Sequence, residues 1–320
     1  MIARRTVIAG LAAAAALAGP VLAQNPNELR IIAPAGPGGG WDTAARSIQQ
    51  VMTATGLAKS VQVQNVTGAG GTIGLAQFIT GSKGDPNQLM VNGITMIGAI
   101  LTNKAPVSLD QVTPLVRLTG DPLVIVVPEN SPHRTIKDLA AAIKADPARM
   151  IWAGGSAGGA DHILAALMAK AAGSDPGKVN YVAFSGGGEA LAAMLGGRVT
   201  AGVSGYGEFE SQIKAGKLRA LALSSGKRLE GADVPTLKEL GYDVEVVNWR
   251  AVMAAPGITA EQKKDLTAVF EKMVKSKEWG EVLKARGWDD YYLAGEPFAA
   301  FIKEEQARVG DVLRSIGLVK

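Results

Sequence analysis

Twice along this chain a short apolar stretch runs into a glycine-rich turn that closes with Gly-Gly-x-Asp at the head of a helical pattern. The first copy reads Ile31-Ile32-Ala33-Pro34-Ala35-Gly36-Pro37-Gly38-Gly39-Gly40-Trp41-Asp42, and the second Met150-Ile151-Trp152-Ala153-Gly154-Gly155-Ser156-Ala157-Gly158-Gly159-Ala160-Asp161. In both, ten positions separate the strand Ile (Ile32, Ile151) from the Asp (Asp42, Asp161). Strand–turn–helix units of this kind build parallel sheets covered by helices. In such sheets ligands sit beyond the carboxyl ends of the strands, where these turns must lie.

The rest of the chain keeps that alternation. Strands are expected over 29–33, 61–65, 89–93, 123–127, 150–153, 179–184, 199–203 and 218–223, with 244–254 extended. Helices are expected over 43–53, from 73, over 135–145, 162–171, 189–195 and 211–215, and in two longer closing runs, 260–276 and 297–316. Two apolar extended segments, 115–128 and 246–256, each end at a Pro and read as crossovers. The expected fold class is therefore α/β, with a mostly parallel sheet in each of two domains; a single large sheet with an ordinary linker fits the same pattern. Domain 1 is expected over 25–120 plus 253–320, and domain 2 over 121–252, with the crossovers as hinges.

The glycine turns carry the chemistry. A helix N-terminus offers unpaired N–H groups and roughly half a unit of positive charge. Glycine lets the backbone approach a ligand closely, so successive N–H groups can wrap an anion. Two such ends facing each other grip a carboxylate without any Arg. The candidate contacts are Gly38, Gly39, Gly40 and Trp41 in the first loop and Ser156, Ala157, Gly158 and Gly159 in the second. Asp42 and Asp161 fit either helix capping or a ligand contact through water or a hydroxyl. Three further glycine turns add Gly71 and Thr72, Ser185, and Ser204 with Tyr206.

Other functions are poorly served. Residues 154–158 match G-x-S-x-G between a strand and a helix, which raises a serine hydrolase using Ser156. That chemistry needs an acid and then a His further on. Of the two His, only His162 follows, six positions later at the start of the same helix. The chain has no Cys, so no thiol nucleophile, disulfide or lipid-modified Cys is expected. No metal-ligand spacing, dinucleotide fingerprint or P-loop appears, and no cofactor or metal is expected.

The N-terminus reads as an export signal: Arg4 and Arg5, an apolar stretch over 7–18, and Val21-Leu22-Ala23 before the mature start at Gln24. The formal charge is +4, about +2 without those two Arg, and no dense basic cluster appears. Nucleic acid is not an expected partner. A soluble periplasmic monomer is.

Four blocks in order resemble the extracytoplasmic receptors of tripartite tricarboxylate transporters, the Bug/TctC-type family. They are residues 33–42, Gly68-Ala69-Gly70-Gly71-Thr72-Ile73-Gly74, Gly155-Ser156-Ala157-Gly158-Gly159-Ala160-Asp161-His162, and Tyr181-Val182-Ala183-Phe184-Ser185-Gly186-Gly187-Gly188-Glu189. The resemblance covers nearly the whole mature chain. It implies a two-domain periplasmic-binding-protein-like α/β fold whose cleft closes on a small carboxylate, held largely by backbone amides and ordered water, with membrane components of the transporter as partners. It implies Gly38, Gly39 and Gly40 as one half of the grip and Ser156, Ala157, Gly158 and Gly159 as the other. Many relatives carry Asp where this chain has Thr200. By resemblance, that departure, together with Trp41 and the turn Ser185-Gly186-Gly187-Gly188, points toward the citrate or tricarboxylate branch and away from the amino-acid binders. A ligand-dependent contact with a sensor kinase is an alternative output for the same binding chemistry.

Overall fold

The computed structural model describes residues 28–320, so the expected signal segment and its cleavage site lie outside the described residues. Strand β1 (Glu28–Ala33) is flanked by β2 (Ser60–Asn65) and β3 (Gln88–Gly93), both parallel to it. Helix α1 (Gly40–Ala54) follows β1 and buries Trp41, Ala44, Ala45, Ile48, Val51 and Met52. Those positions recur every three or four residues, the spacing that puts them on one face. Helices α2 (Thr72–Gly81) and α3 (Ile94–Thr102) follow β2 and β3. The chain then enters the long strand β4 (Thr113–Pro128).

Beyond β4 the pattern repeats. Helix α4 (Ile136–Ala145) leads into β5 (Ile151–Gly154), α5 (Ala160–Ala171), β6 (Asn180–Ala183), α6 (Gly187–Leu195), β7 (Ala201–Gly205), α7 (Tyr206–Lys214) and β8 (Leu218–Leu223). β5 is parallel to both β6 and β7. Strand β9 (Val247–Ala254) returns to the first half, and α8 (Ala260–Val274), α9 (Lys277–Arg286), β10 (Asp289–Ala294) and α10 (Gly295–Ser315) complete it.

The sheet runs β2-β1-β3-β9-β4-β7-β5-β6, with β10 and β8 also on β4. β4 joins the halves. Its residues 113–122 pair with β9, and from Leu123 onward it pairs with β7 and β8. The change of partners falls at Pro122, which has no N–H to donate to a ladder. Each half thus has the expected parallel core of three strands. The strands that carry the chain between halves, and those that flank them, pair antiparallel, so the sheet is mixed and not mostly parallel.

Three elements were not expected from the sequence. α3 starts directly after β3 without a turn signal, and five of its nine residues are buried, so its pattern reads as continuing apolar chain. α9 begins three residues after α8 ends. β10 is a polar strand whose register slips against β4 between Asp290 and Leu293.

Candidate functional site

The two motif loops fold alike. In the first, Gly39 N–H donates to Gly36 O (3.1 Å) around Gly38 at φ 79°, and Thr43 N–H opens the helix by donating to Gly39 O (2.9 Å). In the second, Gly159 N–H donates to Ser156 O (3.0 Å) around Gly158 at φ 75°, and Ile163 N–H donates to Gly159 O (2.9 Å). Only glycine takes that positive φ without strain, and Pro37 suits the turn position before it. Neither helix has a side-chain acceptor at its N-cap, Gly39 or Gly159. The same holds for α2 on Gly71, α3 on Gly93, α6 on Gly186 and α7 on Gly205. By contrast α4, α8 and α9 are capped by Thr135, Thr259 and Ser276.

Among the described residues α10 also lacks a side-chain cap, at Ala294, and the other six uncapped helix heads border one cleft. Its inner chamber, about 60 Å³, is lined by Gly40 and Trp41 of α1, Thr95 of α3, Gly155 and Ser156, Asp161 of α5, Gly186 and Gly187 of α6, and Ser204, Glu208 and Arg250. That is room for a few water molecules or one carboxyl group. An outer basin of about 310 Å³ adds Gly68–Gly71, Asn103, Ala157 and Phe184, and shares Ala35, Ser156 and Ser185 with the chamber. The halves meet closely around it. A Cβ on Gly98 would lie 1.8 Å from Gly158 O, and one on Gly186 would lie 3.1 Å from the Gly39 Cα. Ala160 N–H of α5 donates to Thr95 Oγ1 of α3 across the gap (3.3 Å).

The expected contact residues divide. Gly40, Trp41, Ser156, Asp161, Ser185 and Ser204 line the inner chamber, and Gly71, Ser156, Ala157 and Ser185 the outer basin. Gly38 lies on a separate cavity behind Arg250. Gly39, Gly158 and Gly159 line neither chamber nor basin; they form the seam where the halves touch. Asp42 turns into its own loop, accepting from Gly38 N–H (2.8 Å), Arg46 Nε (2.9 Å) and Asn65 Nδ2 (2.8 Å). Thr72 is buried and donates to Ala69 O. Tyr206 packs in the second-half core with Phe209 and Met194. Thr200 stands at the far end of its strand from the cleft, bonded to Ile151. Its difference from relatives therefore carries no information about the ligand.

Sequence reasoning asked for a grip without Arg, yet one Arg is central. Arg250 on β9 is 3% exposed on its side chain, and its Nη2 meets Asp121 Oδ2 of β4 at 2.6 Å and Glu208 Oε1 of α7 at 3.6 Å. A Cβ at Gly40 would fall 2.2 Å from that Nη2, so glycine there makes room for the guanidinium. Burial pushes the Glu208 carboxyl up to about 8; Arg250 and Ser204 offset this, while Asp121 and Asp161 add to it. Burial also raises Asp161 to about 7, against the bond it accepts from Gly155 N–H (2.7 Å). Asp121 is raised by burial as well, with Arg250 opposing. The charges within the apolar crossovers, Arg117 and Asp121 in the first and Arg250 in the second, were the available signal, because buried charges come paired. Nothing in the local sequence marked Glu208, Thr95 or Asn248, the last of which also lines the chamber.

His162 does not serve Ser156 as the hydrolase reading requires. Its Nδ1 accepts from Gly158 N–H (3.1 Å), its ring stacks on Tyr181 at 4.2 Å, and burial lowers it to about 4. Among the described residues no group of His, Cys, Asp and Glu could hold a metal ion.

The model of the tripartite tricarboxylate transporter family receptor matches residues 44–318. The chain belongs to that family. The receptor is 31% identical over 320 residues to protein BugT of Bordetella pertussis, covering 97% of this chain and 96% of that one. Its fold matches the periplasmic binding protein BugD with a TM-score of 0.83 at 24% identity, covering 92% of the receptor and 98% of BugD. It matches an R. palustris protein with adipate (TM-score 0.84, 20% identity, 91% and 98% covered). It also matches MatC from Rhodopseudomonas palustris with bound malate (TM-score 0.78, 24% identity, 90% and 99% covered). These likenesses establish the two-domain periplasmic-binding-protein fold. Receptors of this family are periplasmic, and among the described residues no helix is long and apolar enough to cross a membrane.

Proposed function

We propose that this receptor captures a small di- or tricarboxylate, citrate-like in character, and hands it to the membrane components of a tripartite tricarboxylate transporter. The observation that carries the reading is the convergence of six helix heads without side-chain caps, three from each half, on one cleft. Each brings unpaired N–H groups and partial positive charge to the same space, which suits an anion that bridges the halves. The malate and adipate held by two fold neighbours support this class of ligand.

The two halves act as domains that open and close about the paired strands β4 and β9. The sheet pairing favours boundaries near 123 and 247, a few residues from the 121 and 253 expected from sequence. An export signal cleaved after Ala23 delivers the chain, and it works as a non-catalytic monomer. Calorimetry against citrate, tricarballylate, malate and succinate tests the proposal. Saturable one-to-one binding of at least one is expected; no binding to any of them overturns it.

A further inference from the structure

The inner chamber is short of fixed positive charge for a place that receives an anion, and this inference rests on that carboxylate reading. Its one guanidinium, Arg250, is already committed to Asp121 and shared with Glu208. Asp161 and Glu208 border the chamber themselves. Yet Glu208 Oε2 is buried without a hydrogen-bond partner, and so is Arg250 Nη1. A Cβ at Gly187 would lie 2.1 Å from that Oε2, so the missing side chain at the head of α6 is what leaves it open.

The groups facing Glu208 are few. Arg250 approaches from β9, Asp121 from β4, Asp161 from α5 and the Ser204 hydroxyl from β7. Arg286, at the end of α9, and Trp288 share with it the cavity behind the chamber. Helix α6 offers only glycine backbone there, and Glu210 on the same helix as Glu208 pairs with Lys214. An entering carboxylate thus meets two carboxyls and one guanidinium in the chamber wall, with Asp121 behind, already paired to that guanidinium. Ionised like charges at that range exclude one another. A carboxyl that keeps its proton instead becomes a donor.

We propose that Glu208 meets the ligand as a neutral carboxylic acid and donates from Oε2 to a ligand carboxylate oxygen, so that binding is tied to a proton held on Glu208. The proton comes from solvent and stays on Oε2; no bond to carbon is made or broken. Burial holds the Glu208 carboxyl at about 8 and Asp161 at about 7, so the neutral form is at hand near neutral pH, and a bound anion raises both further. The sign follows. Affinity eases slightly as Asp161 ionises past about 7 and keeps its main loss for Glu208. It falls as pH climbs past about 8, by up to about tenfold per pH unit, until Glu208 ionises in the complex too.

The test is calorimetry with malate and citrate, both fully ionised from pH 7.5 upward, at pH 7.5 and 9.5. The native receptor is expected to lose at least about tenfold in affinity over that range. Glu208→Gln keeps an N–H donor and cannot ionise, so its loss should stay below about threefold. A native receptor with level affinity, or a Gln variant that falls as steeply as the native one, overturns the proposal. Titrations of the native receptor at pH 8.5 in buffers of different ionisation heat give a second reading that needs no variant. Net proton uptake is expected, and none overturns the proposal. Failure to bind either acid at pH 7.5 would sink the carboxylate reading and this inference together, which separates it from binding that is merely indifferent to pH.

Discussion

The loops at 36–42 and 155–161 share one turn and one closing Asp, yet the two Asp live in opposite surroundings. Asp42 is buried, which pushes its carboxyl up, but bonds from Arg46, Gly38 and Asn65 outweigh burial and hold it below the ordinary range. Asp161 lies under more protein; burial, with Asp121 nearby, outweighs the bond it accepts from Gly155 N–H (2.7 Å), and its carboxyl rises to about 7. The first Asp is a brace that fixes its loop. The second is a wall of the chamber. One motif has thus been spent on stability in one half and on the site in the other. The helix caps show the same division: Thr135, Thr259 and Ser276 close helices away from the cleft, and glycines leave those around it open.

The comparison breaks most sharply at Asp42. Asp42→Ala strips a carboxylate from Gly38 N–H, Arg46 and Asn65 and should cost about 3 kcal/mol at pH 7, read as a shift of the urea midpoint. Asp42 is held low in the folded state, so its contribution is full above the unfolded value of about 4. The ionic part of it is lost as pH falls through the lower folded value, and the gap between variant and native curves should narrow there. A gap that persists unchanged in acid would show that the carboxylate is not the brace.

The next effect sets the two turn glycines against each other. Gly38→Ala should cost about 1–2 kcal/mol, the strain of a left-handed residue, because nothing lies within 4 Å of its Cβ. Gly158→Ala carries the same strain and also drives a Cβ to 2.5 Å from the Thr102 side chain and 3.0 Å from Gly98 O. It should cost about 2–4 kcal/mol, since overpacking adds to strain. Equal costs would mean that the seam between the halves is looser than its contacts imply.

Much of this contrast could be seen beforehand. Arg46 stands four residues after Asp42, within reach on one helix face, whereas Ala165 holds that place after Asp161. The two motif loops and the strands other than β10 follow from local pattern. The chamber's chemistry was less legible because it is assembled across the chain: Arg250, Asp121 and Glu208 come from β9, β4 and α7, and only folding brings them together. α3 was hidden by its own apolarity, since a short buried helix and a buried strand share one composition. With it went Thr95, which reaches across to Ala160.

The effect that is smallest in acid is the most telling for the wall. Asp161→Asn keeps an oxygen to accept Gly155 N–H and removes the titration. With a folded value raised to about 7, the folded protein retains a proton between about pH 4 and 7 that the unfolded chain releases. Native stability therefore declines as pH rises across that window, the reverse of the Asp42 case. The Asn variant has no such decline. Near pH 4 the two proteins should differ by no more than about 1 kcal/mol, the scale of one neutral hydrogen bond. By pH 8 the variant should be the more stable of the two. Urea midpoints at half-unit steps would show the curves converging in acid and parting in base, and parallel curves would mean that Asp161 is as well braced as Asp42.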